Sequence, residues 1–108
     1  MRQRRFLPGL SLLMGFDAVM RTGSVTRAAQ DLALTQSTVS RLIQTLEAQL
    51  GQPLFIRHRK RLHPTEAALR YHRDIGAALD AIQRATTALV ANPDGGTLDL
   101  AVLPTFGT

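Results

Sequence analysis

The sequence predicts a mainly α fold of three short helices, a two-stranded hairpin and one long fourth helix. Two observations support this prediction. Apolar residues recur every three or four positions through most of residues 8–91, which is the helical period. Between Pro53 and Pro64 this period gives way to two short β-like runs on either side of a basic loop. A chain of 108 residues with 44% apolar residues has room for one small domain and an appendage.

The first helix is predicted from Pro8, a residue suited to a first helical turn, to Thr22. Its apolar stripe consists of Leu10, Leu13, Phe16, Val19 and Met20. Gly23, which tolerates positive φ, is expected to end it. Ser24 is then expected to cap a second, short helix that runs to about Ala33.

A third helix is predicted between Thr35, its N-cap, and Gly51, which closes it. Its apolar side gathers Val39, Leu42, Ile43, Leu46 and Leu50 within one arc. The opposite side is short, hydrogen-bonding and almost uncharged, and it carries Ser37, Arg41, Gln44 and Ala48, with Ser40 and Thr45 at its margins. Such side chains around one arginine suit the base edges of a DNA major groove. The second and third helices, joined by a short turn, make a helix-turn-helix.

Residues 54–57 and 62–63 are predicted to form a two-stranded hairpin, or wing, around the basic loop 58–61. With the three helices it completes a winged helix-turn-helix domain over residues 8–65. The positive charge supports a polyanionic partner for this part of the chain. Residues 1–65 hold ten Lys/Arg against three Asp/Glu, whereas residues 66–108 hold three against five.

Thr65 is expected to cap a fourth, long helix over residues 66–91. This linker helix has a heptad-like seam of Ala68, His72, Ile75, Leu79, Ile82, Thr86 and Leu89. We expect it to pair with a second copy, chiefly through Ile75, Leu79, Ile82 and Leu89; packing on its own domain is the alternative. Residues 92–108 are predicted as a hinge followed by a strand at 97–104, the first strand of a truncated second domain.

Several function classes are disfavoured. His58, His63 and His72 lack partners at metal-ligand spacing, and there is no nucleophile elbow or glycine-rich phosphate loop, so we expect neither an enzyme nor a metal site. We place His63 and His72 at the surface or an interface. A protein-binding module or an RNA-binding winged helix would show large apolar anchors or stacking aromatics, which the exposed side of the third helix lacks.

The N-terminus and the cysteine content bear on location. Arg2, Arg4 and Arg5 before an apolar stretch imitate an export signal, but no small-residue cleavage site follows. The chain has no cysteine, which excludes disulfides and is compatible with the reducing cytoplasm, where we expect the protein to act. No apolar run approaches the length of a membrane span.

Five spaced motifs follow one another through residues 10–67. They are Leu13-x-x-Phe16-x-x-Val19-x-x-x-Gly23-Ser24, Ala28-Ala29-x-x-Leu32, Thr35-Gln36-Ser37-Thr38-Val39-Ser40-Arg41, Leu46-Glu47-x-x-Leu50-Gly51-x-x-Leu54-Phe55-x-Arg57 and Leu62-x-x-Thr65-Glu66-Ala67. This progression resembles the N-terminal region of LysR-type transcriptional regulators. The resemblance implies sequence-specific binding of double-stranded DNA by a homodimer or homotetramer that assembles through the linker helix. It also implies a small-molecule effector bound by a C-terminal domain, with no cofactor in the residues at hand.

The resemblance further implies roles for particular residues, with the recognition helix 35–50 in the major groove and the wing at the flanking backbone or minor groove. The residues expected at base edges are Gln36, Ser37, Ser40 and Arg41, of which Gln suits adenine and Arg suits guanine. The residues expected at the backbone or minor groove are Arg27, Thr35, Thr38, Arg57, Arg59, Lys60 and Arg61.

Overall fold

The computed structural model describes residues 6–92; the predicted strand at 97–104 and the basic residues at 2–5 lie outside this range. Its elements are α1 (Leu10–Thr22), α2 (Val25–Leu32), α3 (Gln36–Leu50), β1 (Phe55–His58), β2 (Arg61–Pro64) and α4 (Glu66–Ala91). The strands β1 and β2 form one antiparallel pair. The mainly α fold with a two-stranded wing and a long fourth helix is therefore confirmed.

Four of the predicted helix boundaries are confirmed by their geometry, whereas α1 begins at Leu10, two residues after the predicted start at Pro8. Gly23 and Gly51 end α1 and α3 in the left-handed region, at φ 75° and 74°, where a residue without Cβ is favoured. Ser24 and Thr35 cap α2 and α3, because each side-chain oxygen accepts the backbone N–H three residues further on, at 3.2 and 3.1 Å. These four residues fix where the helix-turn-helix begins and ends.

The short turn predicted between α2 and α3 is confirmed and consists of Ala33 and Leu34. Ala33 does not continue α2 but takes a left-handed conformation at φ 57°, which costs an L-residue roughly 1–2 kcal/mol. Its N–H donates to the carbonyl of Gln30 at 3.3 Å, and the N–H of Leu34 donates to the carbonyl of Ala29 at 2.9 Å. These bonds satisfy carbonyls at the end of α2, so the chain enters α3 without a flexible connection.

The buried core brings all three short helices, the wing and the first turn of α4 together. It consists of Phe16, Ala18, Val19, Ala28, Ala29, Val39, Ile43, Leu46, Leu54 and Ala68. At Gly15 the helices α1 and α3 approach closely, because a Cβ there would lie 3.1 Å from Cδ1 of Leu42. Leu10 departs from the predicted apolar stripe, since it lies at the start of α1 and is 50% exposed.

Glu47 connects α3 to the wing through two hydrogen bonds. Its Oε2 accepts the backbone N–H of Leu54 at 2.7 Å and that of Phe55 at 3.2 Å. These two residues lead into β1, and Leu54 is itself fully buried. A carboxylate that accepts two backbone N–H groups makes a charge-assisted contact, which is stronger than a neutral hydrogen bond. The position of the wing beside α3 therefore depends on this one side chain.

We expect Glu47→Ala to lower the free energy of unfolding by about 1–3 kcal/mol, because it leaves two partly buried amides without an acceptor. Glu47→Gln keeps one acceptor oxygen and should lose less. Urea denaturation measures the loss, and hydrogen exchange at the amides of Leu54 and Phe55 should accelerate in the alanine variant. Gln49→Ala, an exposed change on the same helix, is the control; unchanged exchange at both amides in Glu47→Ala would contradict the assignment.

The first two turns of α4 pack on their own domain, contrary to the predicted seam. Ala68 is fully buried in the core. His72 is half-buried, with its Nε2 2.8 Å from Oδ1 of Asp17 and its ring edge-on to Phe16 at 5.7 Å between centroids. The prediction that His72 lies at the surface or an interface is wrong, because Asp17 and Phe16 of the same chain cover it.

Asp17 connects three helices. It accepts hydrogen bonds from Arg21 Nε at 2.9 Å and from His72, and Arg21 also reaches Asp31 on α2 at 3.2 Å. Burial alone would raise the pKa of Asp17, but the hydrogen bonds of His72 and Arg21 outweigh it, so this pKa lies below its usual value. Asp17 therefore remains ionised at neutral pH, and the positive charge of Arg21 compensates its negative charge.

The chain divides into two compact units, of which the first reaches to Gly76 and the second begins at Ala77. The described part of the second unit is the remainder of α4 with Asn92. Its seam residues are uncovered to different degrees, since Leu79 is half-buried whereas Ile82 is 51% and Leu89 65% exposed. Within residues 6–92, no helix combines the length and apolar character needed to cross a membrane.

Candidate nucleic-acid interface

The outer side of α3 is as polar and as sparsely charged as its sequence predicts. Gln36, Ser37 and Arg41 are exposed, and Ser40 is half-buried at the margin. Gln44 continues the same side one turn further on and is exposed. Arg41 is therefore the single charged group on this surface of α3, surrounded by side chains that can both donate and accept hydrogen bonds.

Three hydroxyl groups form a hydrogen-bonded cluster at the N-terminus of α3. Thr35 Oγ1 accepts the N–H of Thr38 at 3.1 Å, donates to Thr38 Oγ1 at 2.8 Å and lies 3.2 Å from Ser37 Oγ. Since Thr35 has one hydroxyl proton and gives it to Thr38, Ser37 is the donor in the remaining contact. The cluster fixes the first turn of α3, on which Ser37 is exposed.

A groove of about 570 Å³ separates the recognition helix from the wing and the start of α2. Its lining consists of Gly23, Ser24, Val25, Thr26, Gln36, Ser40, Arg57, Lys60, Arg61, Leu62 and His63. The structure thus brings two of the predicted base-contacting residues together with three of the predicted wing cations. The other predicted cations and Ser37 do not line this groove; Ser37, Arg27, Arg41 and Arg59 are exposed beside it.

The second strand of the wing is longer and the turn between the strands shorter than predicted. The antiparallel register pairs His58 with Arg61, so the loop contains only Arg59 and Lys60, both at positive φ of 51° and 63°. Two-residue turns of this kind favour Asn-Gly, because a side chain with a Cβ is disfavoured in the left-handed region. Arg59 and Lys60 therefore occupy a turn whose backbone conformation is unfavourable for both residues. Backbone strain of this kind is typical of functional sites.

The cations around α3 are not neutralised within the part of the chain that the structure describes. Over residues 6–92, Asp17 and Asp31 pair with Arg21, and Glu66 pairs with Arg70. Glu47 accepts hydrogen bonds from two backbone amides instead. No ion pair in this range involves the six basic residues of the site, namely Arg27, Arg41, Arg57, Arg59, Lys60 and Arg61. The surface formed by α3, the wing and the start of α2 is accordingly positive.

Three residues of the groove have hydrogen-bonding side chains but were not singled out from the sequence as site residues. Ser24 and Thr26 lie at the first turn of α2, and His63 lies on β2. For Ser24 the sequence shows only an N-cap, and for Thr26 it shows nothing distinctive. For His63 the signal was its position two residues after the basic run, but its side of the strand depends on the hairpin register.

Comparisons with known proteins agree with this geometry. The profile described as "Bacterial regulatory helix-turn-helix protein, lysR family" matches residues 10–69. The glycine cleavage system transcriptional activator of Escherichia coli K12 is 41% identical over 100 residues, which cover 93% of this chain and 33% of that protein. The transcriptional activator protein LysR of the same strain is 39% identical over 93 residues, 84% of this chain and 30% of that protein. The chain thus spans about a third of the length of these curated relatives.

Solved structures show the same fold. The BenM DBD in its complex with benA site 1 DNA has a TM-score of 0.73 at 28% identity, covering 81% of this chain and 98% of that one. A probable transcriptional regulator from Pseudomonas aeruginosa has a TM-score of 0.69 at 35% identity, covering 76% of this chain and 27% of that one. The family profile covers more than half of the 108 residues and includes every element from α1 to the start of α4. The chain therefore belongs to the lysR family of bacterial regulatory helix-turn-helix proteins.

Proposed function

We propose that this chain binds double-stranded DNA in a sequence-specific manner, with α3 in the major groove and the wing on the flanking backbone or minor groove. One observation supports this most directly: the polar outer side of α3, on which Arg41 is the single charged group, is bordered by cations that make no ion pairs within the described residues. At such an interface, the polar side chains that contact bases have to lie beside the cations that bind phosphates.

The base-reading residues are Gln36, Ser37, Ser40 and Arg41. Arg41 is exposed on the outer side of α3 and offers a bidentate donor pair, which suits the O6 and N7 of guanine. Gln36 can form the corresponding pair with adenine from the first turn of the helix. Ser37 and Ser40 flank them as short hydrogen-bonding groups. Each good bidentate pair contributes about 1–3 kcal/mol of discrimination against the wrong base.

Affinity comes mainly from the phosphate contacts. Arg57, Lys60 and Arg61 line one side of the groove, and the exposed Arg27 and Arg59 extend the positive surface beyond it. Thr35 and Thr38 are expected to act through the first turn of α3, whose backbone N–H groups can donate hydrogen bonds to a phosphate. Tyr71, by contrast, packs on Phe16 at 5.6 Å between ring centroids, so its ring does not serve as a base-stacking platform of the kind that RNA modules use.

The binding species in this proposal is a homodimer, or a tetramer built from dimers, that assembles through α4. Ile75 and Leu79 are half-buried and Ile82 and Leu89 mostly exposed in the single chain, although all four fall on one side of the helix. A helix with such a seam is only marginally stable alone. Pairing with a second copy would cover the seam and place two recognition helices on one duplex.

Arg41→Ala and Lys60→Ala should have different effects on DNA binding. A duplex selected from a random library with the intact chain serves as the cognate site, and a scrambled duplex of the same composition as the reference. Arg41→Ala should reduce the preference for the cognate duplex by about 1–3 kcal/mol, because it removes a base contact. Lys60→Ala should weaken both duplexes alike and lower the salt slope by about 1, because it removes a phosphate contact.

Fluorescence anisotropy over a salt titration measures both effects. Arg70→Ala is the matched control, since Arg70 is an exposed arginine that pairs with Glu66 at 3.6 Å and lies away from the groove. Equal affinity of the intact chain for cognate and scrambled duplexes at every salt concentration would refute sequence-specific binding.

A further inference from the structure

Two histidines lie together on the outer side of the wing. In the hairpin register His63 is opposite Ile56, and His58 is opposite Arg61, so all four residues share one side of the sheet. The rings of His58 and His63 are 6.2 Å apart between centroids. Phe55 and Leu62, on the other side, pack against the core. The histidine pair is thus directed away from the protein interior.

His63 also lines the groove between the wing and α3. The charged groups that line this groove with His63 are Arg57, Lys60 and Arg61. In the hairpin register Arg61 and His58 share the side of the sheet that carries His63, whereas Arg57 lies opposite Leu62 on the other side. From α2 and α3, the residues across the groove contribute only uncharged polar groups, among them Thr26, Gln36 and Ser40. No carboxylate lines the groove, and within residues 6–92 neither histidine makes an ion pair.

We propose that His63, with His58 beside it, is an additional DNA-phosphate contact that forms when the imidazole is protonated, so that DNA affinity rises as the pH falls. This inference rests on the proposed DNA-binding function. Histidine is the side chain that ordinarily changes charge between pH 8 and pH 5. In the free protein its neighbours at this site are cations, and an arriving phosphate supplies the negative charge that favours the imidazolium form. DNA binding and proton uptake are therefore coupled, and the coupling is reciprocal.

The expected size of the effect follows from a single charge-assisted contact. We expect the intact chain to bind its selected duplex about tenfold more tightly at pH 6 than at pH 8. This factor corresponds to one charge-assisted contact that the protonated imidazole makes with a phosphate and the neutral imidazole does not. The salt slope should be steeper at pH 6 by about 0.9, one phosphate more. Because phosphate contacts carry no sequence information, a scrambled duplex should show the same ratio between the two pH values.

The test compares the intact chain with His63→Gln, His58→Gln and the double variant by anisotropy at both pH values and constant ionic strength. His63→Gln should match the intact chain at pH 8 and lose most of the gain at pH 6, while His58→Gln should lose less. His72→Gln is the matched control, because this histidine lies against Asp17 and Phe16 and should keep the full ratio. Circular dichroism verifies that each variant is folded.

The outcomes separate the two proposals. Cognate binding at pH 8 together with an unchanged affinity at pH 6 would overturn the histidine contact and leave sequence-specific binding intact. An undiminished ratio in His63→Gln would also overturn it. Failure of the intact chain to prefer its selected duplex at either pH would overturn sequence-specific binding, whereas the ratio of affinities between the two pH values, measured on either duplex, would still decide the histidine contact.

Discussion

Phe16→Ala is expected to lower the free energy of unfolding of the first unit by about 3–5 kcal/mol, a large part of the 5–15 kcal/mol typical of a folded domain. Phe16 is fully buried and forms ring contacts with Phe55, Tyr71 and His72 at centroid distances of 6.0, 5.6 and 5.7 Å. These three partners belong to the wing and to α4, so one side chain of α1 joins the helices to both. Its removal leaves a cavity and also abolishes aromatic contacts that stabilise beyond their buried area.

Urea denaturation followed by far-UV circular dichroism measures this loss as a lower midpoint at an unchanged slope. Phe16→Leu, which keeps most of the apolar volume, should fall between Phe16→Ala and the intact chain. Met14→Ala is the control on the same helix, because Met14 is 43% exposed and its replacement should change stability by roughly 0.5 kcal/mol or less. A loss below about 1 kcal/mol for Phe16→Ala would show that the aromatic cluster does not hold the unit together.

The sequence was most informative where local chemistry decides the structure. Ser24 and Thr35 could be assigned as N-caps because their side chains satisfy amides three residues away, a purely local interaction. Gly23 and Gly51 could be assigned as helix ends because few other residues accept the left-handed conformation. The apolar period of α3 likewise predicted Val39, Ile43 and Leu46 as buried residues.

The sequence was less informative where contacts join residues far apart in the chain. His72 and Asp17 are separated by 55 positions, and nothing local indicates that they meet. Arg59 and Lys60 lie in a predicted loop of four residues, and nothing in an Arg-Lys pair indicates the two-residue turn that they form. Glu47 was recognised only as part of a motif, since the two backbone amides that donate to it lie seven and eight residues further on, at the entry to β1.

The candidate site shows the same division. The composition of the outer side of α3 could be read from helical periodicity alone, since it depends on a single helix. Which cations face that helix depends on how the wing is fastened, and only the structure places Arg57, Lys60 and Arg61 across one groove from Gln36 and Ser40.

Leu79→Asp is expected to convert the proposed dimer into a monomer and to weaken binding to a duplex with two half-sites by about 10²-fold or more. The seam of α4 leaves Ile82 51% and Leu89 65% exposed in the single chain, and Leu79 lies between them and Ile75 on the same side of the helix. A carboxylate at this position would have to be desolvated in any paired arrangement, which costs several kcal/mol. Loss of the dimer also removes the gain of about 10²–10⁴ that bivalent binding gives over a single site.

Sedimentation velocity and titration of duplexes with one or two half-sites measure the two consequences separately. Ala77→Asp is the matched control, because it introduces the same charge two residues away on the opposite side of α4, where Ala77 is exposed beside Arg73 and Arg84. If Leu79→Asp is monomeric but retains the single-site affinity of the intact chain, the first unit binds DNA on its own and α4 supplies only the second copy. If Leu79→Asp sediments as the intact dimer does, the seam is not the interface. The exposed Ile82 and Leu89 would then require a different partner, since a helix with so little of its apolar side covered gains little stability by itself.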